Sequence, residues 1–181
     1  NTAIGKDAML ANTTGAHNVA VGEETFKANT TGNYNTAIGR FSLSSATTAD
    51  DNVAVGNSSM VANTTGASNT AVGKSALTAN TTASNNTAVG YQSMNANTTG
   101  ANNVALGALS LDANTTGDRN TALGKGALGV NTTADNNTAV GASSLDANTT
   151  GATNTAVGAN SLSSNTTASN NTAVGYSALE L

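Results

Sequence analysis

The chain has 181 residues, a net charge of −4, and no cysteine, proline or tryptophan, while Asn (28) and Thr (31) fill about a third of it. Charged residues make up only 9%, against a usual share of roughly 25%. Six Lys and Arg give no basic footprint for nucleic acid or an anionic membrane. The missing cysteines exclude disulfides and thiolate metal sites, and no apolar run is long enough to cross a bilayer. Large apolar residues are so scarce that composition alone suggests disorder. The order of the residues argues otherwise.

Taken in chain order, the pentapeptide Asn-(Thr/Val)-Ala-(Val/Ile/Leu)-Gly begins at Asn1, Asn18, Asn35, Asn52, Asn69, Asn86, Asn103, Asn120, Asn137, Asn154 and Asn171. Each start lies 17 residues after the last, with no insertion or deletion. The unit reads N-[TV]-A-[VIL]-G-x-x-[small]-[LMF]-x-[small]-N-T-T-[GA]-x-x. Ten full units and a partial eleventh make residues 1–181 one repeat domain. Unit position 15 repeats its pattern between residues 1–85 and 86–170, position 16 does so except for Asn33 against Asp118, and Tyr91 and Tyr176 share one unit position 85 residues apart. A duplicated five-unit block is the simplest origin.

A 17-residue unit is too short for a helix pair. The pentapeptide alternates as a strand does, with positions 2 and 4 on one face and Ala on the other. Gly at position 5 and Gly or Ala at position 15 suit corners. Each unit therefore reads as one coil of an all-β, parallel β-solenoid, or β-roll, with equivalent residues stacked at about 4.8 Å. The row from Ile4 to Val174 and the Leu/Met/Phe row from Met9 to Leu179 are expected inside, with the Thr/Val row at position 2 partly buried. The eleven Asn residues above form a structural ladder between coils, as stacked amides do. A second ladder from Asn12 is interrupted by Ala46. The invariant row from Ala3 to Ala173 then lies on the opposite face, where another wall or another chain packs closely. Three chains packed along these rows would thicken a thin core.

No catalytic constellation is visible, and no enzyme activity, cofactor or metal is expected. His17 sits at a variable corner without a repeated partner. Glu23-Glu24 and Asp50-Asp51 are adjacent carboxylates that do not recur in other coils, so both read as solvated. Calcium-repeat, nucleotide-binding and zinc patterns are absent. The N-T-T triplets, such as Asn12 to Thr14, match a glycosylation acceptor, but turn and ladder chemistry explains them without glycans.

The repeats resemble the head repeats of YadA-type trimeric autotransporter adhesins, and more closely the NTAVG repeats of bacteriophage tail-fibre proteins. The resemblance covers the whole chain, although the autotransporter units are shorter and carry an aliphatic residue where Thr2, Thr36 or Thr70 stands here. It implies a left-handed roll assembled as a homotrimer at a virion or cell surface. The function expected is a structural or adhesive fibre segment, a rigid extracellular spacer of a phage tail fibre or bacterial surface filament. The chain starts on a motif residue and stops partway through the eleventh unit. Flanking sequence, or a filament built by end-to-end stacking, is therefore expected.

Two alternatives use the surface. An ice-binding solenoid would use the ladder Thr13, Thr30, Thr47, Thr64, Thr81, Thr98, Thr115, Thr132, Thr149 and Thr166. Adjacent threonines on an extended strand face opposite sides, so a flat face that includes Thr14 requires a turn to rotate one of them. A carbohydrate-binding surface, contacting a cell-surface glycan, would use Tyr34, Phe41, Tyr91 and Tyr176, since exposed aromatic rings stack on sugars.

Overall fold

The computed structural model describes residues 1–180; Leu181, at the end of the eleventh unit, lies outside them. Each pentapeptide forms one three-residue strand, from β1 (Thr2–Ile4) to β11 (Thr172–Val174). The eleven strands make a single parallel sheet in sequence order. Pairing is in register at the repeat length, as in Thr2↔Val19, Ala71↔Ala88 and Val157↔Val174. The chain is thus an all-β parallel solenoid of 17-residue coils, without helix among the described residues.

The strands face the opposite way from the sequence expectation. The Ala row points inward: Ala20, Ala37, Ala54, Ala71, Ala88 and their equivalents are fully buried. The Val/Ile/Leu row points outward, with Ile38 40% and Leu106 48% exposed. The Thr/Val row at position 2 lies on the same outer face, half-buried to exposed. Alternation fixes which residues share a face but not which face is inside. Here the space inside is already filled by the Leu/Met/Phe row, buried from Met9 to Leu162, and by two asparagines per coil. Only a methyl group fits opposite them. The Ala row therefore cannot form a contact between chains.

The asparagines form a polar half to the core. Asn69 Oδ1 accepts the Asn86 backbone N–H at 3.0 Å, and Asn86 Nδ2 donates to the Gly100 carbonyl at 2.9 Å. The same pair of bonds recurs along the first asparagine row. At position 12 the amides bond to each other: Asn80 to Asn63 at 2.8 Å, Asn114 to Asn97 at 2.8 Å, Asn131 to Asn114 at 3.0 Å. Ala46 is buried at the gap in this row. Buried serines at position 8 reach a carbonyl of the following coil, as Ser59 Oγ does to Ala71 at 3.0 Å, except Ser110, which bonds to Gly107 of its own coil. No buried side-chain N or O is left without a partner among the described residues, so the amide core avoids the penalty of unsatisfied burial.

Corners are made where the chain enters the left-handed region. Gly5 and its equivalents have φ near +131, and a Cβ there would strike the backbone carbonyl of the next glycine in the row. Three further positions per coil adopt this region without glycine, exemplified by Ser75 (φ 56), Leu77 (φ 53) and Asn85 (φ 62). For buried Leu77 the cost is about 1–2 kcal/mol, offset by roughly 1.5–3 kcal/mol from burying its side chain. Position 15 departs from the corner role expected of it. Its φ is not positive, and its task is to face inward and present a carbonyl to both asparagine rows.

Candidate functional site

The coil sorts its chemistry by position. All sixteen charged residues fall at unit positions 6, 7, 10, 16 and 17. Two outward faces carry none: the strand face at positions 2 and 4, and the face at positions 11, 13 and 14. Each runs the length of the rod.

The strand face joins an aliphatic row to a mixed one, with Thr at position 2 in eight of eleven coils. Val, Ile and Leu fill position 4 in every coil, and only Thr or Val, which share one shape, fill position 2. Val53 (37% exposed), Val104 (38%) and Leu106 stand out from it. Side chains two apart on a strand lie on one side of the sheet, so these rows form a continuous outer surface.

At the second face a tight turn places both threonines outside the core. The Thr30 carbonyl accepts the backbone N–H groups of Thr13 and Thr14, both at 3.0 Å, and of Gly15 at 3.2 Å. The Thr13-type side chain is half-buried for most of the rod and the Thr14-type side chain is exposed throughout. The Thr13 hydroxyl donates to the Thr30 carbonyl at 2.8 Å, and the same bond repeats at Thr64 (3.0 Å), Thr98 (2.9 Å) and Thr149 (3.0 Å). The turn thus supplies the rotation that an extended strand would not.

The variable positions hold the charges and every aromatic ring except that of Phe26, which lies in the core. At position 16 a side chain satisfies the backbone of the preceding coil: the Ala101 N–H donates to Asp118 Oδ1 at 2.7 Å, the Asp118 N–H to Asp135 Oδ1 at 2.8 Å, and the Ala67 N–H to Ser84 Oγ at 3.0 Å. This capping role of Asn, Asp and Ser was legible only in their shared preference for turns. Asp50 takes part in it through the Asn33 N–H at 2.6 Å, while Asp51 is exposed. Arg40 pairs with Glu23 at 2.9 Å and lies 4.1 Å over the Phe41 ring. Arg119 lies 3.8 Å from Asp118 and 3.6 Å from Asp135. Such exposed pairs contribute about 0–1 kcal/mol each. A hydrogen bond from Lys27 to Glu24 raises the Lys27 ammonium above its usual range. Burial pushes the Asp112 carboxyl up, against two backbone hydrogen bonds that lower it.

The four aromatic candidates do not come together. Tyr34 stacks on His17 at 4.9 Å, one coil apart at position 17. Phe41 is half-buried beneath Arg40 at position 7. Tyr91 and Tyr176 are exposed at position 6, five coils apart, or roughly 24 Å at the strand spacing. A shallow depression of about 440 Å³ near the C-terminal coils is lined by Ser143, Asp146, Asn160, Ser163 and Glu180. Among the described residues no three acidic or histidine side chains gather as a metal site, and no helix is long and apolar enough to cross a membrane. The N-T-T asparagines Asn29, Asn63, Asn80, Asn97, Asn114, Asn131 and Asn148 are fully buried, so the folded chain does not present them to a glycosylating enzyme. In comparisons with known proteins, the chain matches no family, no curated protein and no solved structure.

Proposed function

We propose that the chain is a rigid structural segment of an extracellular fibre, of the kind carried on a virion as a tail fibre or on a bacterial surface as an adhesin or filament. The single observation behind this reading is the charge-free strand face, whose aliphatic position-4 row runs the whole rod. Monomeric soluble proteins rarely leave a continuous apolar face of this length in water. Three left-handed copies packed along their Thr/Val and Val/Ile/Leu rows would cover it and replace the Ala-row contact expected from sequence. The role is mechanical. Every coil is tied to the next by main-chain bonds and by amide ladders, and the absence of long loops among the described residues leaves few points for a protease to enter.

The test is the solution mass of the chain by light scattering, together with a Leu106→Lys variant. A mass three times that of the chain, falling to one in the variant while β-type circular dichroism persists, supports the proposal. A folded monomer at high concentration overturns the trimer and leaves the apolar face without its proposed occupant.

A further inference from the structure

We propose that the Thr13–Thr14 face is an ice-binding surface, an activity separate from the fibre role and independent of how many chains associate. Of the two charge-free faces, the strand face carries an unbroken aliphatic row at position 4 and suits burial against another copy. The threonine face offers hydroxyls and methyl groups together. It is bordered at position 11 by Ala in seven of ten full coils, with Ser or Val in the rest, and at position 16 by residues that include Asp50, Asp118 and Asp135, so the charges lie along one edge and none falls within it.

The two threonine rows differ in a way that matters for a water lattice. Each Thr13-type hydroxyl up to Thr149 spends its proton on the carbonyl of the next coil. That bond fixes the side chain and leaves its oxygen lone pairs as acceptors. The Thr14-type residue is exposed in every full coil, and its hydroxyl can donate or accept. Each of the nine rungs from Thr13 to Thr149 thus presents a fixed acceptor, a free donor and two methyl groups, repeated at about 4.8 Å, and the tenth adds its two threonines without the fixing bond. A ligand that uses all ten rungs has to repeat along the rod itself, be uncharged, and both donate and accept hydrogen bonds. Ice meets these conditions. The amide ladders hold the array in register before contact, so little ordering cost remains on binding.

Thermal hysteresis and crystal shape, measured on the full chain by nanolitre osmometry, decide the matter. A hysteresis gap with faceted crystals is expected. Thr82→Tyr, and separately Thr99→Lys, should abolish the gap while circular dichroism and melting are unchanged. Lys74→Tyr, at a corner where the next coil already carries Tyr91, should leave it intact. Freezing indistinguishable from a non-binding protein at equal concentration overturns the proposal. So does a gap that survives both threonine variants, or one lost only in Leu106→Lys. Solution mass is read on the same samples, so failure of the ice assay is distinguished from failure of the fibre reading.

Discussion

Asn97 Nδ2 donates to Asn80 Oδ1 at 3.2 Å, one coil away, and to the Gly100 carbonyl of its own coil at 2.9 Å. One buried amide therefore closes its own turn and ties two coils together. Removing it leaves the buried Asn80 Oδ1 without its amide donor and Asn114 Nδ2 without one of its acceptors. Asn97→Ala is expected to destabilise the fold by about 1–3 kcal/mol, read as a lower denaturant midpoint.

The gap at Ala46 gives the converse experiment. Ala46 is fully buried in the asparagine row, and the Ala49 carbonyl beside it takes an amide from Asn35 at 2.7 Å. Ala46→Asn should complete the row and add about 0.5–1.5 kcal/mol. A midpoint unchanged or lowered would mean that the coil has closed around the smaller residue.

The inverted strand face predicts opposite responses from neighbouring residues. Ala88 points into a full interior, so Ala88→Val should cost about 1–3 kcal/mol through overpacking. Thr87→Val, outward on the same strand, should stay within about 0.5 kcal/mol. Equal effects would argue against the observed orientation.

Gly73 marks a corner at φ 139, where a Cβ would meet the Gly90 carbonyl. Gly73→Ala should cost at least about 1–3 kcal/mol from backbone strain alone. Ser75→Gly, at a corner position that Gly126 already occupies, should be nearly neutral, because relief at φ 56 is balanced by a more flexible unfolded chain. Paired chemical melts separate the two.

Asp112 carries a signature in pH. Burial raises its carboxyl above the ordinary value of 3.8. An acid whose folded pKa is raised is penalised when ionised. Its contribution is present below the carboxylate range and is lost as pH rises through the folded value. Asp112→Asn should therefore raise stability at neutral pH and reduce any gain in stability on acidification towards about pH 4. Denaturant midpoints across that range, for both proteins, check the sign.

The sequence by itself determined the coil. The invariant 17-residue spacing demanded identical stacked units, alternation in Asn-Thr-Ala-Val-Gly demanded a strand, and recurring asparagines at two positions marked rows that could bond between coils. Ala46 showed where one row breaks. Only the tertiary structure decided which side of each strand is inside, since alternation is symmetric about the sheet. Residue size pointed towards the row of Ile4, Val21 and Val72 inside; the space left by Leu77 and the asparagine amides admits only the methyl of Ala71 or Ala88. Likewise no local preference places Leu77 at φ 53. That conformation persists because the cross-section of a closed coil needs a corner there, and because burial of the leucine outweighs its strain.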